Sequence, residues 1–198
     1  MIGRTVGSDA FGVRFHGRGG QGVVTSAELL SVAAFLDGHE AQAFPSFGSE
    51  RMGAPVVSFC RVAETPIRTH EPVNAPHAVV IGDATLLRHV DVFSGLRDDG
   101  FVLINSVRTP AELGLEPVIE RLGADRVRSV PATELARRHL GKPMPNACLL
   151  GALAALTDVV TEPSLIRAVR ERFRFDVAKA NVAALLAAFD HLSEARHA

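Results

Sequence analysis

The sequence predicts an α/β fold: a mixed, largely parallel sheet flanked by helices, with an inserted β-hairpin and a helical C-terminal segment. The first observation is a pair of short apolar runs that end in polar residues, Ala78–Ile81 and Phe101–Ile104, as buried parallel strands do. The second is the alternation of such runs with helical patterns. The third is the chain after residue 142, where a rigid proline-containing connector, residues 142–146, leads into three helical patterns, Ala147–Leu156, Leu165–Phe173 and Asp176–Ala195.

The length of 198 residues fits one domain covering residues 1–198. Residues 1–10 are expected to be flexible, and residues 142–198 are expected to form a helical extension packed on the rest. Asn146 and Ser164 are predicted to cap two of its helices.

The first predicted strand contains Val13 and Phe15 and breaks at Gly17 into a glycine-rich loop. A helix follows directly. Glycines let backbone N–H groups crowd together, and the first N–H groups of a helix have no internal acceptor, so the loop is predicted to receive a phosphate or pyrophosphate. The predicted ligand-binding residues are Gly17, Arg18, Gly19, Gly20, Gln21, Gly22 and Thr25. The alternative is that the glycines only permit a tight turn and close packing of helix on strand.

The same loop satisfies the G-x-G-x-x-G spacing of dinucleotide-binding turns. In those turns an acidic residue closes the second strand and binds the ribose. Here Asp37 and Glu40 come before the next apolar stretch, Ala41–Phe44, so the acid lies at the wrong end. The spacing alone is therefore weak support for a dinucleotide site.

The segment from residue 42 to residue 55 is rich in proline and glycine and carries two phenylalanines. Surface loops of this kind often carry function, and the alternative is an Ω-loop packed on its own side chains. The predicted partner or ligand residues are Phe44, Ser46, Phe47, Glu50 and Arg51. After it, strand Val56–Val62 and a short strand Ile67–His70 are predicted to form the hairpin.

Composition excludes several classes of function. The net charge of −1 and the absence of Tyr and Trp argue against nucleic-acid binding. Two distant cysteines, Cys60 and Cys148, cannot ligate zinc or an iron–sulfur cluster. No apolar segment reaches the roughly 18 residues of a membrane span, and the N-terminus lacks a signal sequence, so a cytoplasmic protein without membrane contact is expected. No catalytic residue and no metal ligand are predicted in this chain.

Five stretches together carry a family resemblance. They are His-Gly-Arg-Gly-Gly-Gln-Gly-Val-Val-Thr (16–25), Ala-Phe-Leu-Asp-Gly-His (34–39), Ala-Gln-Ala-Phe-Pro-Ser-Phe-Gly-Ser-Glu-Arg-Met-Gly-Ala-Pro-Val (41–56), Pro-Asn-Ala-Cys-Leu-Leu-Gly-Ala (145–152) and Ala-Asn-Val-Ala-Ala (180–184). The sequence resembles the gamma subunit, or gamma domain, of 2-oxoacid:ferredoxin oxidoreductases, with the pyruvate type closest. It departs from the family pattern at Ser49, where proline is usual, and at Met52, where arginine is common.

The resemblance implies one subunit of a hetero-oligomeric enzyme that oxidatively decarboxylates pyruvate or a related 2-oxoacid to an acyl-coenzyme A and passes electrons to ferredoxin or a similar acceptor. It further implies alpha, beta and ferredoxin-like delta subunits that hold thiamine diphosphate, Mg and 4Fe-4S clusters. This chain would hold no cofactor alone and would be inactive alone, and its role would be in binding coenzyme A and in assembly.

Two alternatives remain open. One is a scaffold subunit that contacts partners only, and the other is a stand-alone dinucleotide-binding oxidoreductase. Against the second, no convincing general base accompanies the loop, since His16 is interpreted as a strand-end histidine. The identity of the 2-oxoacid, the electron acceptor and the stoichiometry of the complex cannot be derived from this chain.

Overall fold

A computed structural model describes residues 10–46, 52–69 and 71–197, the last three of these as backbone only. Its strands form one six-stranded sheet in the order β2-β3-β1-β4-β5-β6. The strands are β1 (Phe11–Arg18), β2 (Glu40–Pro45), β3 (Pro55–Ala63), β4 (Ala78–Ile81), β5 (Phe101–Asn105) and β6 (Val127–Val130). Strands β1, β4, β5 and β6 run parallel, whereas β3 is antiparallel to both β1 and β2.

Helices cover both faces of this sheet. They are α1 (Val23–Leu36), α2 (Glu116–Leu122), α3 (Ala132–Leu140), α4 (Asn146–Thr157), α5 (Glu162–Arg172) and α6 (Phe175–His197), with short 3-10 helices at Ala84–Arg88 and Ala111–Leu113. The predicted fold class is confirmed. The sequence pattern does not indicate helix α2, and it predicts a helix over Ala84–Val90, where the structure has only the 3-10 helix Ala84–Arg88. In the described part of the chain no helix has the length and apolarity that crossing a membrane requires.

The inserted hairpin is present, but its predicted second strand is wrong. Strand β3 pairs with β2, with Gln42 opposite Arg61 and Phe44 opposite Phe59. The two phenylalanine rings lie 5.2 Å apart, and such cross-strand aromatic contacts stabilise a pair of strands. Residues 67–69 form no strand, because they offer one apolar side chain to bury and follow Pro66, which has no N–H to donate. Residue 70 lies outside the described residues.

Two hydrophobic cores lie on opposite faces of the sheet. The larger one packs the sheet against α1, α3, α4, α5 and α6, with Phe15, Leu30, Leu150 and Leu185 among its buried side chains. Every residue of α4 is buried, so this helix lies inside the core and reads as apolar all round. The smaller core packs the other face against α2 and the 3-10 helix that contains Leu86.

Both predicted helix caps are wrong for the same reason, because α4 and α5 each start earlier than the sequence pattern indicates. Pro145 occupies the cap position of α4, and Asn146 is already helical. Thr161, and not Ser164, caps α5 by accepting a hydrogen bond from the Ser164 amide. The Asp37 carboxylate at the end of α1 then accepts from the Thr161 amide at 2.7 Å and from the hydroxyls of Thr161 and Ser164 at 2.6 Å each. Asp37 therefore ties α1 to the N-terminus of α5, where a carboxylate is favoured.

Candidate functional site

The glycine-rich loop lies in a crevice at the carboxyl end of the parallel strands. Strand β1 leads into α1 on the face of the larger core, whereas the neighbouring strand β4 leads into the 3-10 helix on the opposite face. Connections that leave adjacent strands in opposite directions open a crevice, which is where open α/β sheets bind ligands. The fold thus places the loop at the position that this rule predicts for a ligand site.

The loop is shorter than the sequence suggested. Strand β1 does not break at Gly17, because Gly17 and Arg18 still pair with Val56 and Pro55 of β3. Gly17 is required for packing, since a Cβ there would lie 2.5 Å from the Val23 Cγ2. Of the four loop glycines only Gly20 and Gly22 have positive φ angles, of 92° and 74°, a conformation that other residues adopt at a cost of about 1–2 kcal/mol.

The N-terminus of α1 has free hydrogen-bonding capacity. Its cap residue, Gly22, has no side chain to satisfy the first turn. By helix geometry the amides of Val23, Val24 and Thr25 have no intrahelical acceptor. Other loop amides are used inside the protein: Gly19 donates to the Ala54 carbonyl at 2.9 Å. An anion in the crevice would therefore meet the helix end, which carries a partial positive charge.

Arg18 borders the smaller lobe, but its guanidinium is hydrogen-bonded to groups of the protein. Its Nε donates to the Asp83 Oδ2 at 2.9 Å, one terminal nitrogen donates to the Gly53 carbonyl at 3.0 Å, and the other donates to the Thr85 Oγ1 at 2.7 Å. The guanidinium thus joins the end of β1 to the segment before β3 and to the start of the 3-10 helix. Contact between Arg18 and a ligand stays a prediction.

Asp83 is a residue of this site that sequence reasoning missed, although it directly follows the buried strand β4. Its position, after the parallel strand next to β1, is where a dinucleotide-binding turn would carry its ribose-binding acid. Both of its oxygens are occupied, however: Oδ2 accepts from Arg18 and Gln21, and Oδ1 accepts from the amide and hydroxyl of Thr85. A ribose would have to displace these contacts, which disfavours the dinucleotide alternative.

A groove with two lobes opens beside the loop. One lobe, of about 320 Å³, lies over Gly19, Gly20 and Val24, and the other, of about 400 Å³, extends toward α6. Gly22, Thr25 and Met144 border both lobes. The larger lobe is lined by apolar side chains together with Lys142, Asn146, Arg172, Asp176 and Asn181. A mostly apolar groove with a few polar groups suits an organic ligand that carries an anion.

Asn146 lines the larger lobe from the start of α4. Its side chain lies against the cap of α1, since a Cβ on Gly22 would be 2.9 Å from the Asn146 Nδ2. The residue is only 4 % exposed, and its Oδ1 is buried without a hydrogen-bond partner among the described residues. Because buried polar atoms are normally paired, the carboxamide is a candidate for contact with a ligand.

The predicted partner loop is only partly described. Phe47, Glu50 and Arg51 lie outside the described residues. Phe44 is partly buried beneath the Arg61 guanidinium, 5.2 Å from its ring centroid, and does not line the groove. Ser46 is exposed, and its amide donates to the Val57 carbonyl.

The described end of this loop nevertheless touches the glycine loop. Met52 is 88 % exposed, and a Cβ on Gly20 would lie 2.7 Å from its sulfur. The Gly53 amide donates to the Gly19 carbonyl at 3.2 Å. The two loops are therefore neighbours in space.

Neither His16 nor the cysteines are placed for chemistry. Burial, and then the positive charge of Arg14, lowers the pKa of His16 to about 4, so this neutral histidine is a poor general base at pH 7. Cys60 and Cys148 are buried as free thiols. Within residues 10–46, 52–69 and 71–197, no three His, Cys, Asp or Glu side chains are grouped so as to hold a metal ion.

Comparison with known proteins decides the family. A profile of the pyruvate ferredoxin/flavodoxin oxidoreductases matches residues 12–191. The chain belongs to this family. The pyruvate synthase subunit PorC of Methanosarcina barkeri is 48 % identical over 158 residues, which are 80 % of this chain and 84 % of that subunit.

Two further relatives agree with that assignment. The gamma subunit common to the pyruvate and ketoisovalerate oxidoreductases of Pyrococcus abyssi is 42 % identical, covering 90 % of this chain and 95 % of its own. The crystal structure of subunit PORC of the Thermotoga maritima pyruvate oxidoreductase superposes with a TM-score of 0.77 at 32 % identity, over 91 % of this chain and 96 % of that one. The predicted assignment as a gamma subunit of a 2-oxoacid oxidoreductase is confirmed.

Proposed function

We propose that this gamma subunit binds coenzyme A at the glycine-rich loop and helps to hold the enzyme complex together. The observation that carries the proposal is the uncapped N-terminus of α1, with Gly19–Gly22 before it, opening into the two-lobed groove. Coenzyme A combines phosphates with a long organic portion, and the groove offers a place for each. Thiamine diphosphate, Mg and 4Fe-4S clusters belong, in this proposal, to alpha, beta and delta partner subunits of a cytoplasmic complex.

The phosphate groups would lie at the helix end. Backbone N–H groups at a helix N-terminus bind anions without a nearby cation, and the helix dipole adds about 0.3–1 kcal/mol for an anion at the surface. Thr25, which borders both lobes, has a hydroxyl within the same turn. The remaining organic portion would lie over Met144 and Asn146 in the larger lobe.

The assembly role rests on exposed apolar side chains around the groove. Met52 and Phe175 are 88 % and 83 % exposed, and Val177 and Met144 are also exposed. Met144 and Val177 line the larger lobe, and Phe175 begins the same helix as Val177. Exposed apolar groups that cluster at a site favour contact with a partner, so a neighbouring subunit is proposed to cover this rim.

The test uses the assembled enzyme and two glycines with the same backbone strain. Gly20 has φ 92° in the loop, and Gly38 has φ 88° at the other end of α1, with no atom within 4 Å of its Cβ position. Gly20→Val is expected to raise KM for coenzyme A by about tenfold or more, because it fills the approach to the helix end. Gly38→Val should carry the same backbone strain, without the contact that a side chain on Gly20 makes with the exposed Met52, and should leave KM unchanged. Equal KM values for both variants would show that the loop is structural.

A separate experiment tests assembly. Phe47→Ser in the predicted partner loop should weaken association with the other subunits, measured by co-purification and light scattering. Full assembly of this variant, with an unchanged affinity, would remove the loop from the interface. Titration of the purified complex with NAD serves as the control for the dinucleotide alternative, and no binding is expected.

A further inference from the structure

We propose that Arg18 and Asp83 are positioning residues that hold the glycine-rich loop in its anion-binding shape and do not themselves bind the ligand. This inference rests on the proposed binding of coenzyme A at the loop. It assigns to Asp83 a part in that binding, and it changes the expected role of Arg18 from a ligand-binding cation to a structural tether.

The first observation is the number of protein acceptors around Arg18. Each of its three nitrogens donates to a different acceptor, and the acceptors lie in two segments: Asp83 and Thr85 at the start of the 3-10 helix, and the Gly53 carbonyl before β3. A planar guanidinium suits such fixed, multiple contacts. Three of the five guanidinium N–H groups are thus taken by the protein, so a phosphate that bound Arg18 directly would be limited to the two that remain or would displace one of these acceptors.

The second observation is that Asp83 reaches the loop twice. Its Oδ2 accepts from Arg18 at 2.9 Å and from the Gln21 Nε2 at 3.3 Å. Gln21 in turn closes the loop from inside, because its Oε1 accepts from the Arg18 amide at 2.8 Å. The residues on both sides of Gly19 and Gly20 are therefore fixed by one carboxylate.

The third observation concerns charge. Burial raises the pKa of Asp83, but the hydrogen bonds from Thr85 and Arg18 outweigh this effect, and the net shift is downward. Asp83 is thus ionised at neutral pH, and its charge offsets that of Arg18. Within the loop itself an anion therefore meets backbone amides and the end of α1, whereas the cations Lys142 and Arg172 line the larger lobe.

A positioning role for Arg18 and Asp83 and a direct contact between Arg18 and phosphate predict opposite effects of Asp83→Asn on KM for coenzyme A. Asp83→Asn retains an oxygen that can cap the 3-10 helix but places an N–H donor against Arg18 and Gln21. If Arg18 bound phosphate directly, removing the negative charge of Asp83 would free Arg18 and lower KM for coenzyme A. If the pair positions the loop, the same change raises KM.

A double-mutant cycle in the assembled enzyme tests this. Arg18→Met and Asp83→Asn are each expected to raise KM for coenzyme A by about tenfold, since each breaks the same charged network. The double variant should be no worse than either single variant, because coupled residues are not additive. The effect should appear in KM and not in kcat at saturating coenzyme A. Arg97→Met is the control, since its pair with Asp99 has similar geometry, 3.0 Å from Nε to Oδ1, away from the loop.

The other outcomes distinguish failure of the positioning inference from failure of the proposed binding of coenzyme A. A higher KM for Arg18→Met together with a lower or unchanged KM for Asp83→Asn overturns the inference and makes Arg18 a direct ligand. Unchanged KM in both, while Gly20→Val raises it, also overturns the inference but leaves the proposed function standing. Unchanged KM in all three refutes the proposed function itself. If Arg18→Met does not assemble, Arg18→Lys, which can keep only part of the contacts, takes its place.

Discussion

Gly151 in the middle of α4 is required by the packing of α4 on α6. A Cβ at this position would lie 2.2 Å from the Leu185 carbonyl oxygen and 2.9 Å from its carbonyl carbon. These are backbone atoms, so no side-chain rotation relieves the contact. Gly151→Ala therefore forces the two helices apart by about 1 Å, in a core where close packing leaves little room.

The change in the free energy of unfolding caused by Gly151→Ala is the difference between two opposing contributions. Overpacking a core costs about 1–3 kcal/mol, and a contact this short belongs at the upper end. Replacing glycine by alanine inside a helix returns about 1 kcal/mol. The net destabilisation is about 2 kcal/mol, which lowers the melting temperature of a chain of this size by about 4–8 °C.

Thermal unfolding of the isolated chain, followed by circular dichroism, measures this shift. An unchanged or higher melting temperature for Gly151→Ala would refute the reasoning, since the gain in helix propensity would then exceed the cost of the contact. Because α4 begins at Asn146, the same displacement is also expected to disturb the larger lobe of the groove.

Three further predictions concern stability and reactivity. Asp37→Ala should destabilise the chain by about 1–2 kcal/mol through loss of its hydrogen bonds to Thr161 and Ser164 at the start of α5, with Asp37→Asn milder and KM for coenzyme A unaffected; an unchanged melting temperature would contradict this. Burial raises the pKa of both thiols, that of Cys148 to about 12. Neither Cys60 nor Cys148 should therefore react with a thiol reagent before the chain unfolds, and labelling of the native chain would contradict this prediction. His16 has a pKa near 4 when folded and 6.5 as its ordinary value, so protons bind the unfolded chain better between these values. Stability should rise with pH across that window, by up to about 3 kcal/mol, and His16→Gln should flatten the curve measured by denaturant titration.

The parallel half of the fold was predictable because its strands carry a strong local signal. A strand covered on both faces must be apolar at every position, and Ala78–Ile81 was located to the residue. The strand pairing in the antiparallel half was harder to predict. Strand β3 has a local pattern, but its partner was chosen by side chains that meet only in the folded sheet, such as Phe44 on Phe59.

In the candidate site, too, some features have a local sequence signal and others depend on contacts made only in the folded chain. Glycine density located the loop, because the need for positive φ at Gly20 and Gly22 is a local property. The role of Arg18 could not be predicted from its neighbours in the sequence. Its carboxylate partner, Asp83, is 65 residues away, and a sequence shows a charge without showing what neutralises it. The sequence predicts a helix cap at Asn146 and does not show its contact with Gly22, because that contact depends on how α4 meets α1.

The neutralised loop fits a substrate better than a resident cofactor. A free arginine in the crevice would add a charge-assisted bond to phosphate, and such bonds are roughly twice as strong as neutral ones. With Arg18 held by Asp83, an anion at the loop gains instead from backbone amides and from the dipole of α1, which contributes about 0.3–1 kcal/mol, while Lys142 and Arg172 line only the larger lobe. Coenzyme A, in the proposed function, must leave as the acyl product in every turnover. A site that holds its phosphates through moderate contacts, and fixes its geometry through a separate ion pair, combines defined orientation with release.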